Sequence, residues 1–124
     1  PRHGLITGSD LSGEAIALAG KNLMDLPYGD RVGLKVADFR TLPELPQGVL
    51  LCNPPYGIRL EPNRDLGPFY KDFGDFLKHR CLGSSAFIYF GNREWISRVG
   101  LKPSWKKVLK SGGLDGRLVK YEIY

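Results

Sequence analysis

The stretch that decides the fold is VLLCNPPYG at residues 49–57, where an apolar run ends abruptly in an amide, two prolines and an aromatic residue. Four consecutive apolar residues predict a strand that is buried on both faces, as in a parallel sheet. Each proline fixes its own φ and removes one backbone donor, and the first also disfavours a helical conformation at Asn53. Residues 53–57 therefore predict a rigid lip that presents the Asn53 amide, unopposed carbonyl groups and the Tyr56 ring. These groups suit a planar partner that donates hydrogen bonds, such as a nucleobase with an exocyclic amine, although a plain proline-rich turn has the same composition.

The overall composition is that of one globular domain. The chain has 124 residues, of which 42% are hydrophobic and 25% charged, enough apolar content for one packed core. No apolar run reaches the roughly 18 residues of a membrane span, and we expect no secretory leader. The two cysteines, Cys52 and Cys81, lack metal-ligand spacing and lie in apolar patterns. They predict reduced core thiols in a cytoplasmic protein and no metal site.

The net charge of +5 is concentrated near the carboxyl-terminal end of the sequence. Between Arg93 and Lys120, only Glu94 and Asp115 oppose the basic residues, which are Arg93, Arg98, Lys102, Lys106, Lys107, Lys110, Arg117 and Lys120. Such a basic end attracts a phosphate backbone, which makes Lys106 and Lys107 candidate RNA contacts. A solvated charged face is the other interpretation of the same residues.

The hydrophobic pattern predicts strands that alternate with helices. The expected elements are a strand at residues 4–7, a helix capped by Ser12, strands at 32–36 and 49–52, a helix from Gly67 with Pro68 in its first turn, a strand at 86–90, a short helix through Trp95, and a hairpin formed by 105–110 and 118–124. In the second helix, Phe69, Phe73, Phe76 and Leu77 form a stripe that we expect to pack on the sheet. This order predicts an α/β fold with a mostly parallel sheet that ends in an antiparallel hairpin.

Three of the predicted strands are followed by polar side chains. Asp10 follows the first strand, Asp38 and Phe39 the second, and Asn53 the third. Ligands of open α/β sheets bind outside the carboxyl ends of the strands, where one carboxylate can accept the hydroxyls of a ribose. A second carboxylate beside an aromatic ring can hold an adenine. One aspartate is weak evidence because aspartate also favours turns, but three polar strand ends in succession favour a nucleotide site.

Together these segments resemble class I S-adenosylmethionine-dependent methyltransferases that act on exocyclic amines. The resemblance lies in ITGSDLS at residues 6–12, VADFR at 36–40 and LCNPPYG at 51–57. FYKDFGDFLK at 69–78 and VGLKP at 99–103, with the hairpin that follows, are similar to bacterial 23S ribosomal RNA guanine-N2 methyltransferases, which carry a THUMP domain upstream. The similarity runs over nearly the whole chain.

The resemblance implies a Rossmann-like methyltransferase fold, S-adenosylmethionine as cofactor and ribosomal RNA as partner, with no membrane. Asp10 with Leu11 would hold the cofactor ribose, and Asp38 with Phe39 its adenine. Asn53, which would also border the cofactor, and the Pro54 carbonyl would accept hydrogen bonds from the target amine. The other implied substrate contacts are Pro55, Tyr56 and Gly57, with Tyr56 stacking on the base. The chemistry needs no histidine, and we expect His3 and His79 on the surface.

The sequence departs from this family at one place. The strand and glycine-rich loop that wrap the methionine part of the cofactor should precede Gly4, and they are absent from these 124 residues. In the family's fold that strand is the central first strand of the sheet. Residues 1–124 are therefore expected to be a partial catalytic domain whose sheet an upstream segment or another chain completes. We expect the chain alone to bind S-adenosylmethionine weakly or not at all.

Other functions remain open from the residues alone. The lip would serve any planar exocyclic amine, so an adenine-N6 methyltransferase on DNA or RNA and a glutamine methyltransferase on protein are alternatives. A catalytically silent module could also use the basic end to bind RNA. The residues encoded upstream of Pro1 discriminate between these functions, because a strand followed by a glycine-rich loop there would support an enzyme.

Overall fold

The chain forms strands and helices in the alternating order that the sequence predicts. The structure, a computed structural model, describes residues 5–54, 66–110, 112–113 and 116–124. Within them lie the strands β1 (Thr7–Asp10), β2 (Gly33–Val36), β3 (Val49–Cys52), β4 (Ser85–Phe90), β5 (Trp105–Val108) and β6 (Arg117–Glu122), and the helices α1 (Gly13–Met24) and α2 (Gly67–Arg80). Short 3₁₀ turns cover Gly29–Arg31, Phe39–Thr41 and Arg93–Arg98. The chain divides into two compact units, unit 1 up to Leu42 and unit 2 from Pro43.

Unit 1 contains β1, α1 and β2. The two strands pair in parallel, with Thr7 opposite Gly33 and Asp10 opposite Val36. The predicted cap of α1 is confirmed, since the Ser12 hydroxyl accepts a hydrogen bond from the Ala15 amide at 3.1 Å. The predicted position of the first strand is wrong, because β1 begins at Thr7 and continues to Asp10. Parallel pairing with β2 overrides the low strand propensity of the glycine, serine and aspartate in this stretch.

Unit 2 contains a four-stranded sheet in the order β3-β4-β6-β5. β3 pairs in parallel with β4, placing Cys52 opposite Ile88. β6 is antiparallel to both β4 and β5 and lies between them. The parallel pairings β1-β2 and β3-β4 followed by an antiparallel hairpin agree with the expected Rossmann-like α/β arrangement.

Helix α2 covers one face of the sheet in unit 2. It starts at Gly67 with Pro68 in its first turn, as predicted. Tyr70 is fully buried and stacks on Phe90 of β4, with ring centroids 5.8 Å apart. The predicted apolar stripe is shifted, because Tyr70 takes part in the core while Phe69 is half-buried. The other buried side chains of α2 and of this sheet face are Phe73, Phe76, Leu77, Ala86, Ile88, Val119, Tyr121 and Ile123.

Strand β3 is not buried on both faces in the part of the chain that the structure describes. Val49 is 74% exposed and Leu51 81% exposed, whereas Leu50 and Cys52 are half-buried. The alternation follows the pairing with β4, since Leu50 and Cys52 lie opposite Ala86 and Ile88 on the face that α2 covers. The prediction of a doubly buried strand is therefore wrong for these residues.

The loop before β3 is tied to the start of β4 by the buried side chain of Ser84. Its hydroxyl donates to the Leu45 carbonyl at 2.7 Å and accepts from the Gly48 amide at 2.9 Å. The Ser85 amide also donates to the Gly48 carbonyl at 3.0 Å. These bonds fix the start of β3 beside the start of β4. Because β3 is only four residues long, they also fix the position of its end at Cys52.

The two cysteines form no disulfide, in agreement with the predicted reduced thiols. Cys81 is fully buried at the end of α2, and this burial raises the pKa of its thiol. Among the described helices, neither α1 nor α2 combines the length and the apolar character that crossing a bilayer requires.

Candidate active site

The carboxylate of Asp10 lies at the end of β1, immediately before α1. Its Oδ1 accepts a hydrogen bond from the Ser12 amide at 2.8 Å, and Ser12 itself caps the helix. This bond orients the carboxylate at the junction of strand and helix, where the side chain is exposed to solvent. Leu11, between the two polar residues, is 67% exposed. The arrangement presents an oriented acceptor at the strand end where the sequence predicts a ribose contact.

Asp38 lies at the same edge of unit 1 as Asp10. The Ala37 amide donates to the Asp10 carbonyl at 2.9 Å, which joins the end of β2 to the end of β1. Asp38 then caps the 3₁₀ turn Phe39–Thr41, its Oδ1 accepting from the Arg40 amide at 2.9 Å. Both predicted cofactor carboxylates are therefore brought to one end of the two-stranded sheet.

Arg40 is a contact of this site that the sequence reasoning missed. Its Nη1 lies 3.2 Å from Oδ1 and 3.1 Å from Oδ2 of Asp38. Its guanidinium carbon lies 4.6 Å from the centroid of the Phe39 ring. The Asp38-Phe39-Arg40 order in the sequence contains a signal, because an arginine beside an aromatic residue and an acid can contact both.

Asn53 and Pro54 follow β3 in unit 2. Asn53 is exposed and Pro54 is buried, so the proline anchors the start of the lip while the amide faces solvent. The Asn53 side chain makes no hydrogen bond with the residues that the structure describes, which leaves its carbonyl oxygen open to a ligand. The remaining lip residues of the prediction, Pro55, Tyr56 and Gly57, lie outside the described residues.

A cluster of aromatic rings lies near the end of β3. The Tyr70 ring stacks on Phe90, with the centroids 5.8 Å apart, and on Trp95, with the centroids 5.5 Å apart and the planes 7° from parallel. Burial is the main cause that raises the pKa of the Tyr70 hydroxyl, and the nearby Cys52 thiol adds to it. Tyr70 is fully buried and packs in the core of unit 2. Sequence reasoning missed Tyr70, although Leu66, Tyr70, Phe73 and Leu77 recur at helical spacing.

The predicted RNA contacts Lys106 and Lys107 are exposed on β5. The Lys107 ammonium lies 4.9 Å from the centroid of the Trp105 ring. Lys120 differs, since its ammonium pairs with Glu122 at 2.8 Å. Hydrogen bonds from Lys120 and Ser85 lower the pKa of the Glu122 carboxyl. Lys106 and Lys107 therefore remain more available to an anionic partner than Lys120.

The described residues contain no group of three or more histidine, cysteine, aspartate or glutamate side chains that could hold a metal ion. His79 is exposed near the end of α2, as predicted, and His3 lies outside the described residues. The predicted site residues at the described strand ends are the carboxylates of Asp10 and Asp38 and the carboxamide of Asn53. They can accept hydrogen bonds and orient a ligand.

The sequence profile of the RMKL-like methyltransferase domain family matches residues 2–120. The match covers nearly the whole chain, and the chain belongs to this family. The α/β fold agrees with that assignment.

Individual relatives extend the comparison. A candidate RNA methyltransferase of Synechocystis sp., slr0064, is 39% identical over 118 residues, covering 94% of this chain and 31% of that protein. The ribosomal RNA large subunit methyltransferase K/L of Methylococcus capsulatus is 34% identical over 127 residues, covering 95% of this chain and 16% of that protein. The chain thus spans under a third of the length of either relative.

A solved structure shows the same fold. The crystal structure of SMU.472, a candidate methyltransferase complexed with SAH, superposes with a TM-score of 0.84 at 27% sequence identity. The superposition covers 96% of this chain and 32% of the SMU.472 chain.

Proposed function

We propose that the chain is part of a catalytic domain that transfers a methyl group from S-adenosylmethionine to the exocyclic N2 amine of a guanosine in ribosomal RNA. The observation that carries the proposal is the exposed Asn53 amide at the end of β3, anchored by the buried Pro54, in a chain of the RMKL-like family. The names of the relatives, ribosomal RNA large subunit methyltransferases K/L, support an RNA substrate.

The cofactor is proposed to bind at the shared edge of β1 and β2. The Asp10 carboxylate, oriented by the Ser12 amide, suits the two ribose hydroxyls, with Leu11 beside it. Asp38 and Phe39 offer an acceptor for the adenine amine and a ring for its face. The residues present fit the adenosine part of S-adenosylmethionine, and the relative complexed with SAH supports that ligand.

The residues of this chain are proposed to contribute to methyl transfer by positioning the target amine. When bound, S-adenosylmethionine supplies an electrophilic methyl group. The Asn53 carbonyl oxygen and the Pro54 carbonyl accept the two hydrogens of the target amine, which turns the nitrogen lone pair out of conjugation with the ring. Holding the amine in line gives a proximity effect that can reach about 7–11 kcal/mol in well-oriented systems. Tyr56 is proposed to stack on the base. The proton leaves only after the nitrogen has become cationic, so no strong base is needed.

RNA is proposed to approach over the hairpin of β5 and β6. The exposed Lys106 and Lys107 would contact the phosphate backbone, whereas base recognition would come from the lip. The same lip would accept the N6 amine of an adenine, so the identity of the base is the part of the proposal that an experiment must decide.

The test uses an extended chain, in which residues 1–124 are preceded by the corresponding upstream part of the Synechocystis relative. The extended chain is incubated with ribosomal RNA and methyl-labelled S-adenosylmethionine, and the RNA is digested to nucleosides. We expect label in N2-methylguanosine. Label in N6-methyladenosine would contradict the guanine assignment, and RNA binding without any transfer would favour the silent binding module.

A further inference from the structure

Arg40 occupies the position on Asp38 and Phe39 at which a bound adenine would be recognised. Its guanidinium lies 4.6 Å from the Phe39 ring centroid, and Nη1 reaches both carboxylate oxygens of Asp38 at 3.1 and 3.2 Å. A guanidinium is a flat group with N–H donors along its edge. The amine edge of adenine is likewise a flat donor. The Asp38 carboxylate and the Phe39 ring could therefore bind either the guanidinium or adenine.

We propose that the Arg40 guanidinium stands in for adenine in the ligand-free chain and is displaced when the cofactor binds. This inference rests on the proposed function, since it takes Asp38 and Phe39 as the adenine contacts. Arg40 is then a residue that competes with the ligand for one site, rather than a residue that contacts it.

The turn around Arg40 keeps its shape when the guanidinium leaves. The Arg40 amide still donates to Asp38 Oδ1 at 2.9 Å. Thr41 donates to the Asp38 carbonyl through its amide at 2.9 Å and its hydroxyl at 2.8 Å. The acceptor is thus oriented by backbone bonds that do not involve the arginine side chain. Displacement frees a site that is already formed.

The ion pair with Asp38 adds little to the cost of displacement. The Arg40 and Asp38 side chains are 42% and 32% exposed, and an ion pair of this exposure is weakened by solvent screening. The Arg40 guanidinium should therefore reduce adenosine affinity by a small factor, about twofold to fivefold, rather than prevent binding. Because the competition is for the amine acceptor, it should act on adenosine more than on inosine, which has a carbonyl group in place of the amine.

The experiment is an NMR titration of the extended chain defined under the proposed function, with adenosine and with inosine at millimolar concentrations, where weak binding is detected. We expect Arg40→Gln to tighten adenosine binding by about threefold, the middle of the range set by an exposed ion pair. Arg40→Lys, which keeps the charge but loses the planar guanidinium, should tighten adenosine binding less. Arg31→Gln is the matched control, because it removes an equal charge from unit 1 at an arginine that lies over a different ring, that of Tyr28.

One further variant, Asp38→Asn, separates this inference from the proposed function. If Asp38 accepts the adenine amine, Asp38→Asn weakens adenosine binding and reduces its preference over inosine. If Asp38→Asn has this effect but Arg40→Gln leaves adenosine affinity unchanged or lowers it, the stand-in is wrong and the adenine site is right. If adenosine moves no resonance of residues 38–40, both are wrong. The ligand-free spectrum gives an independent check, since the Arg40 side-chain resonances should carry a ring-current shift that adenosine removes.

Discussion

The hydroxyl of Tyr121 is buried on the inner face of β6 and has no hydrogen-bond partner among the residues that the structure describes. A buried hydroxyl without a partner costs about 1–3 kcal/mol. Tyr121→Phe should therefore raise the free energy of unfolding by about 1 kcal/mol in urea denaturation. Tyr89→Phe is the contrasting variant, because the Tyr89 hydroxyl donates to the Leu109 carbonyl at 3.1 Å and its loss should destabilise the chain. Destabilisation by both variants would show that Tyr121 has a partner.

The burial of the Tyr121 hydroxyl also leads to a prediction for the free energy of unfolding at alkaline pH. Burial raises the pKa of the Tyr121 and Tyr70 hydroxyls above the usual 10.0, whereas both ionise near that value in the unfolded chain. Stability is therefore full below pH 10 and falls as the pH rises above it, because the folded state then binds more protons than the unfolded state. Urea denaturation between pH 8 and 11 should show a shallower decline for Tyr121→Phe. An identical decline would mean that other groups control alkaline unfolding.

At the scale of single elements, the start of α1 depends on one side chain. The Ser12 hydroxyl caps the helix by accepting from the Ala15 amide. Ser12→Ala should lower the free energy of unfolding by about 1 kcal/mol, the usual cost of losing such a cap. Ser9→Ala removes the same hydroxyl from β1, where it makes no hydrogen bond with a described residue, and should cost less. Equal losses in thermal unfolding would argue against the cap.

Helix α2 contains a glycine at a close approach to the backbone. A Cβ at Gly74 would lie 1.8 Å from the Val99 carbonyl oxygen, which a small side-chain movement cannot relieve. Gly74→Ala should therefore destabilise the chain, although alanine favours helix by about 1 kcal/mol over glycine. Gly13→Ala, at the start of α1 with no neighbouring atom within 4 Å, should be neutral or stabilising. A gain in melting temperature for Gly74→Ala would contradict the packing of α2 on this turn.

The elements also show which features a sequence can predict. Helices α1 and α2 were predictable because a serine cap, a proline in the first turn and helical spacing are local signals. The extent of β1 was not, because Gly8, Ser9 and Asp10 become a strand only through pairing with β2. The predicted burial of β3 on both faces was wrong for a related reason. An apolar run specifies a strand, but the packing elements that cover it lie elsewhere in the chain.

For the site, the strand-end residues were predictable and their contacts were not. Asp10, Asp38 and Asn53 follow strands in the sequence, and the structure places each beside the end of its strand. The Arg40 contact depends on side-chain rotamers, and Tyr70 on the face that α2 buries, so neither follows from spacing alone. The roles of the site residues stay predictions.

At the scale of the whole molecule, the charge distribution predicts how RNA binding responds to salt. Single-stranded RNA binding loses affinity with salt in proportion to the number of phosphates contacted, with a slope of about 0.7 per phosphate. Replacing Lys106 and Lys107 by glutamine should therefore reduce that slope by about 1.4. Lys21→Gln with Lys35→Gln removes the same charge from exposed positions of unit 1 and should change the slope less. Equal effects would mean that net charge, rather than the hairpin, attracts RNA.

Asn53 is proposed to orient the target amine, and one variant of the extended chain tests this role most directly. In Asn53→Ala, methyl transfer to ribosomal RNA should fall by about a hundredfold, the usual cost of misplacing a reacting group. The affinity for S-adenosylmethionine, measured by calorimetry on the same preparation, should change little, and Asn22→Ala on α1 should leave both unchanged. Equal loss of transfer and cofactor affinity in Asn53→Ala, or full transfer activity, would contradict the proposed role.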